Sequence, residues 1–361
     1  RAIVVAGATS IDQVDLDTRG ITPVRPHAGA AAAFLTTANG LFLATPQQSD
    51  GGLRVAALPH DLSEPFATCV VTNGDGRLLR GNIDGTVSLL GSNGDLQRRF
   101  RAHRGPIVAM ATDATGGWIA TAAADGLVRL WNLHSGRCMR TQRGFAGSGA
   151  GTIALSDDGS TIAMIGRGAC DLIESSSGIT VATLPLSAAG GRPAVGVAFL
   201  PGTCDVLTLE GSGRLTRWNR EGETLAQVLL GRDLRALLCS PDGRFVAAAN
   251  GMGQVFVGDA DLQSFTRTHA HRGPVLSMAF DPNNASRIVT GGADGMLRVY
   301  DHQARMPIAS SRPFGGAAIE SICMSGATGR LVAVGSSGNV RALSVQQGSA
   351  VESARLAIVE E

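Results

Sequence analysis

Between Gly105 and Asn132 apolar and polar residues alternate in three short runs: Ile107 to Met110, Trp118 to Ala122, and a third ending at Trp131. Turn dipeptides part them, Gly116-Gly117 first and Asp125-Gly126 second. Alternation with a period of two, cut by such turns, predicts short antiparallel strands joined as a meander. The pentad Ala-His-Arg-Gly-Pro at 102–106 returns unchanged at 270–274, 168 residues later, which is four units of 42.

The hairpin position of Asp125 recurs near Ser10, Asp50, Asp84, Arg167, Ser212, Met252, Asp294 and Ser337. Successive steps are 40, 34, 41, 42, 45, 40, 42 and 43 residues. A period near 40 to 45 with strand-turn-strand content describes the blades of a β-propeller, each unable to bury its faces alone. The register places innermost strands at 30–35, 66–71, 107–111, 150–155, 195–199, 234–239, 275–280 and 319–324. Third strands fall at 53–57, 86–90 and 214–218 among others, and outer strands at 96–100, 138–142 and 307–311. The Ala-rich stretch from Ala28 to Phe34 has helix propensity but stands where the period requires a strand, and strand is ranked above helix.

The expected fold is all-β: a single ring of about eight four-stranded antiparallel blades, with seven or nine as the neighbouring counts. Residues 27–361 make up this propeller. Residues 1–26 read as three strands without an innermost one. They are either the end of a preceding blade or ring-closing strands of a ninth blade completed from 353–359. Two incomplete rings stay open as an alternative.

Two blades carry the same polar and aromatic set: His103, Thr121, Asp125 and Trp131, then His271, Thr290, Asp294 and Tyr300. In both, Asp follows Thr by four residues and precedes the aromatic by six. This spacing suits a chain of hydrogen bonds from the aromatic N–H or O–H through the Thr hydroxyl and His ring to the turn carboxylate. A His beside Asp and Thr also suits acid-base chemistry, but a catalyst needs one such site and not two copies. The sets are therefore read as structural tetrads, with no catalytic residues.

These residues resemble the WD-repeat family. Ala102-His103 stands for its Gly-His pair, Asp125 for its turn aspartate and Trp131-Asn132 for its Trp-Asp pair; Ala270-His271, Asp294 and Tyr300-Asp301 repeat the set. Asp84-Gly85 keeps the turn with Leu90 at the aromatic position, and Trp218-Asn219 keeps the aromatic with Ser212 at the aspartate. Arg167, Met252 and Ser337 depart further. The resemblance implies a rigid platform that holds proteins or peptides within a larger intracellular assembly.

Composition narrows the partners. Lys and Arg total 31 against 30 for Asp and Glu, a net charge of +1, and no run of like charges occurs, which disfavours nucleic acid as the main partner. The cysteines Cys69, Cys138, Cys170, Cys204, Cys239 and Cys323 lack metal-ligand spacing and fit buried thiols in a reducing compartment. Gly-rich 143–151 lacks the Gly-Lys-Ser/Thr of a phosphate loop, so no cofactor is expected. No stretch of about 20 apolar residues is present, and membrane insertion is not expected. Arg1 stands where an initiator methionine would, leading to the expectation of a processed product or a piece of a larger polypeptide.

The expected function is a non-catalytic protein-interaction scaffold in the cytoplasm. A cytoskeletal, centriolar or ciliary version is one form of it. A nucleic-acid-associated propeller and an enzyme using the channel are the alternatives. Arg104 and Arg272, which follow the two histidines, and Arg80, which precedes the Asp84-Gly85 turn, are the candidate partner-binding residues.

Overall fold

Each alternating run forms a strand, and the turn dipeptides between them close antiparallel hairpins. This computed structural model describes residues 33–37, 40–46, 53–57, 67–72, 77–90, 96–143, 152–166, 168–186, 194–303, 306–324, 330–336, 340–345 and 356–358. They hold 31 strands and no helix. The chain divides into two compact units, Arg1–Glu64 and Pro65–Glu361.

In the first unit, strands Ala33–Thr37, Gly40–Pro46 and Leu53–Ala57 form a three-stranded antiparallel sheet, with Ala33 opposite Ala44 and Phe42 opposite Ala57. The described end of the Ala28–Phe34 stretch is strand. The boundary expected between 26 and 27, and the strands expected in 1–26, lie outside the described residues.

The second unit holds seven four-stranded sheets, at 67–101, 107–143, 153–185, 194–229, 234–269, 275–311 and 319–358. In each the strands lie side by side in chain order, the first innermost. The clefts between adjacent blades each hold one apolar cluster. That of the second and third blades packs Ala120, Ala122 and Leu130 against Ile153, Ile162 and Met164. The same happens around the ring to the last cleft, where Cys323 and Val334 of the seventh blade meet Ala67 and Val70 of the first. Burying one Leu or Ile side chain contributes about 2 kcal/mol, so closure of the ring supplies every blade with two covered faces. Inner strands also share hydrogen bonds: Thr68 Oγ1 donates to the Ile107 carbonyl (2.7 Å), the Ile322 amide to Ser277 Oγ (2.9 Å) and the Val70 amide to Ser321 Oγ (3.4 Å).

The ring of the second unit thus closes at seven, the lower neighbour of the expected count of about eight. The strands matching the extra period, at 33–57, lie in the first unit. Strand Leu356–Ile358 pairs with Val340–Val345, making it the outer strand of the seventh blade and not part of a ninth.

A register shift recurs after the first residue of the inner strand in six blades, for example between Ile107 and Ala109 and between Leu234 and Ala236. Such a bulge adds one unpaired residue and re-aims its side chain. It places Arg235 and Glu320, among others, at the same end of the ring.

Candidate functional site

Because every blade runs outward in the same sense, the loops that link blades and the turns between second and third strands all emerge on one face, here called the upper face. The linking loops are laced to these turns by backbone hydrogen bonds. The Ala102 and His103 amides donate to the Gly85 carbonyl of the preceding blade, and the Ala124 amide of the following turn donates to Pro106. Ala270 and His271 donate in the same way to Gly253, and Ala293 to Pro274. Gly85 and Gly253 have φ of +82° and +80°, and a Cβ on either would run into the His103 or His271 carbonyl. Glycine is therefore required both by conformation and by the approach of the next loop.

Each laced loop carries a tetrad histidine, 1% exposed in both copies. In the second blade, Trp131 Nε1–H donates to Thr121 Oγ1 (3.0 Å), whose hydroxyl in turn meets His103 Nε2 (2.8 Å), and His103 Nδ1 lies 3.1 Å from both Asp125 carboxylate oxygens. Asp125 Oδ1 also accepts the Leu127 amide, which fixes the turn. Since an ionised carboxylate can only accept, the proton sits on Nδ1 and Nε2 accepts from the threonine. The donors then run in one direction, from indole to carboxylate.

The sixth blade repeats the inner half of this chain and alters the outer half. His271 Nδ1 lies 2.8 Å from Asp294 Oδ1, and Nε2 lies 2.8 Å from Thr290 Oγ1. Tyr300 stands where Trp131 does, but its hydroxyl passes the threonine and donates to the Ala270 carbonyl at 3.0 Å. The phenol thereby ties the third strand to the linking loop directly.

Sequence reasoning missed the arginines that complete both sets. Arg298 Nη1 donates to Asp294 Oδ2 at 3.0 Å, and Arg129 Nη1 donates to the Ala102 carbonyl. Both stand in the pattern Asp-Gly-x-x-Arg, so the signal was present in the two copies. A third, partial set is built in the fourth blade: Trp218 Nε1–H donates to Thr208 Oγ1 at 2.8 Å, while Ser212 Oγ donates to buried Glu210 at 3.1 Å. There the carboxylate has moved from the turn to the end of the second strand.

Burial lowers the pKa of both tetrad histidines, with the aspartate partner opposing and the nearby arginine assisting. Burial would raise that of Asp294, but hydrogen bonds from His271, Arg298 and the Met296 amide outweigh it and hold the carboxyl far below the usual range. The folded state thus declines protons that the unfolded chain accepts. The histidine contribution is fully present above the ordinary value of 6.5 and is lost as pH falls below it. The Asp294 contribution is present above 3.8 and is lost at lower pH. Urea midpoints measured across this range are expected to fall in two successive acid steps. With both histidines replaced by leucine, the step below pH 6.5 should shrink; an unaltered step would assign it to other groups.

Of the three arginines singled out from sequence, Arg104 and Arg272 are exposed on the upper face, one beside each tetrad histidine. The Arg272 amide donates to Asp294 Oδ2 (3.3 Å). Arg80 corrects the expectation of an exposed charge. It is 7% exposed, inside the first blade opposite Ser88, at the position that Thr121 and Thr290 occupy in theirs. Among the described residues no group of three or more His, Cys, Asp or Glu side chains is arranged to hold a metal ion. Among the same residues no helix is long and apolar enough to cross a membrane. The buried thiols of Cys69, Cys170 and Cys323 are pushed up to about 12 by desolvation, whereas Cys138 and Cys204 are exposed, against the expectation of burial.

Comparison with known proteins agrees with this geometry. The family model "WD domain, G-beta repeat" matches residues 94–132 and 262–301, the segments that end in the two tetrad aromatics and their following polar residues. A "Ribosome biogenesis protein BOP1 homolog" of Chlamydomonas reinhardtii is 28% identical over 238 residues, 62% of this chain and 27% of that protein. A protein of the same description from Oryza sativa subsp. japonica is 42% identical over 41 residues, 11% of this chain and 6% of its own length. The chain therefore spans well under two thirds of these relatives. Among solved structures, the β-propeller domain of Myceliophteria thermophila Cps50 (Swd1) superposes with a TM-score of 0.70 at 17% identity, covering 80% of this chain and 99% of that domain.

Proposed function

We propose that this chain, a WD-repeat β-propeller, works as a non-catalytic platform that holds other proteins together in an assembly. The observation that carries this reading is the state of the tetrads. Their imidazole, hydroxyl and carboxylate groups are spent on one another, on turn amides and on neighbouring arginines, which leaves the ring rigid and its loop faces free to bind. Catalytic histidines would be aimed at a cleft, and these are enclosed.

The assembly we favour is one of ribosome biogenesis in the nucleus, on the strength of one relative's description over 62% of the chain. Nothing comparable supports the cytoskeletal, centriolar or ciliary version. In such a setting RNA is present, and a nucleic-acid contact by the upper-face arginines is the second reading.

The test is affinity capture of the parent protein from cells, with and without residues 65–361. Loss of a defined set of proteins on deletion is the expected result, with ribosome-assembly factors in that set. An unchanged set would overturn the platform reading, and a set without such factors would overturn the favoured assembly. Reversing Arg104 and Arg272 to glutamate should weaken capture while leaving the thermal transition in place. Full capture by this double variant would remove both residues from the binding face.

A further inference from the structure

Three successive linking loops of the upper face each present one exposed arginine: Arg232, Arg272 and Arg312, spaced 40 residues apart. Between them lie two turns, each with a methionine. Met252 is 55% exposed, and its turn is fastened on both sides: the Gly251 amide donates to the Asp233 carbonyl, and the Gly253 carbonyl accepts from Ala270 and His271. Met296, half-buried in the next turn, accepts a contact of 2.9 Å from Arg312 Nε. Cationic and apolar side chains therefore alternate along a fixed arc over the fourth to seventh blades.

The carboxylates on the same arc are largely committed. Asp294 accepts from His271, Arg298 and the amides of Met296 and Arg272, and Asp233 lies 3.3 Å from the Arg235 guanidinium. Glu210, at the turn of the fourth blade, is buried and accepts from Ser212, which leaves Glu320, exposed at the inner rim, as the remaining acid there among the described residues. The opposite face of these blades carries more acids than bases, with Glu221, Glu223, Asp242, Asp259 and Asp261 in its turns beside exposed Arg220 and Arg244, and Asp261 paired with Arg217. A partner drawn to the arc is steered away from that face.

We infer that the arc of Arg232, Met252, Arg272, Met296 and Arg312 is a docking track for an acidic protein segment whose carboxylates alternate with apolar side chains. Guanidinium groups hold carboxylates by paired hydrogen bonds, and the thioether of an exposed methionine adapts to an aliphatic or aromatic side chain. A nucleic-acid backbone would use the arginines and have no use for Met252, so the alternation favours a peptide. The inference rests on the platform reading and names the partner chemistry of one part of that face.

The probe is a short fluorescein-labelled peptide alternating glutamate with leucine, titrated with the full chain and read by anisotropy. Its glutamine-for-glutamate counterpart and a poly-uridine oligonucleotide serve as comparators. Saturable binding of the acidic peptide alone is expected. The Arg232→Glu, Arg272→Glu, Arg312→Glu triple variant should weaken it about a hundredfold, and Met252→Ser about fivefold. Arg137→Glu with Arg220→Glu on the opposite face should leave it unchanged. Absence of saturable binding, indifference to the triple variant, or tighter binding of the RNA with no effect of Met252→Ser would each overturn the inference. Cellular capture that needs residues 65–361 but not the three arginines would sink the docking track while sparing the platform. Capture indifferent to residues 65–361, with peptide binding intact, would sink the platform alone.

Discussion

Replacing Gly253 with alanine is expected to destabilise the protein by about 3 kcal/mol, whereas the same change at Gly202 should cost about 1 kcal/mol. The two glycines share a left-handed backbone, with φ of +80° and +76°, so the conformational cost of a side chain is common to both. Their surroundings differ. A Cβ on Gly202 meets no described atom within 4 Å, but one on Gly253 would lie 1.9 Å from the His271 carbonyl oxygen. That oxygen belongs to the backbone of the linking loop, which cannot swing aside as a side chain would. Moving it stretches the Ala270 and His271 amide bonds to Gly253, now 2.7 and 3.0 Å, and displaces the buried histidine. Each lost bond costs about 1 kcal/mol, and the two together make the difference of about 2 kcal/mol expected between the variants. Urea unfolding of the two proteins side by side measures it. Equal losses would show that the loop yields freely and that the lacing between blades contributes nothing.

Much of this architecture is legible in the sequence because strands and turns are written locally. The third strands read at 53–57, 86–90 and 214–218 are those found, since period-two alternation sets a strand and the turn dipeptide sets its end. The tetrad spacing in the second blade leads to hydrogen bonds from Trp131 to Asp125 for the same reason: short-range register fixes which residues face one another. Ring closure is different, for it depends on which inner strand meets which. The strands at 33–57 keep the local pattern of a blade, yet the cleft that closes the second unit is filled by Ala67, Val70, Cys323 and Val334.

Chemistry transferred by position fails where a side chain changes its reach. Tyr300 occupies the place of Trp131, but its polar atom lies at the far end of the ring and finds the Ala270 carbonyl in place of the threonine hydroxyl. Arg80 occupies the place of Thr121 and is buried by the same inward register that buries the threonine. Position relative to a turn says which way a residue points, and this outweighs the expectation that an arginine near a loop is exposed. Arg129 and Arg298, lying between apolar residues of a third strand, show the reverse: the local pattern looks like an ordinary strand, and only the fold reveals the laced loop within their reach.

Leucine in place of His103 is expected to cost about 3 kcal/mol of folding free energy, and in place of His271 about 2 kcal/mol. The substitution keeps an apolar body in a site that is 1% exposed, so the loss isolates the hydrogen bonds more than the packing. In the second blade it leaves the Thr121 hydroxyl only the more distant Arg129 carbonyl (3.4 Å) and deprives Asp125 of the ring that meets both its oxygens. In the sixth blade Arg298 still pairs with Asp294 at 3.0 Å, and the stranded carboxylate keeps a strong partner, which makes the second loss the smaller. The two blades share no cleft, so the double variant should lose the sum, about 5 kcal/mol. A cycle combining His103→Leu with Asp125→Asn should reveal a coupling of about 1.5 kcal/mol, the share of the contact at 3.1 Å. Denaturant midpoints give all four values. Protein capture by either single variant, measured where it remains folded, should match the parent, because a fastener affects binding only through the population of the folded ring. A variant with its midpoint intact and its binding or turnover abolished would instead place the histidine in a working site.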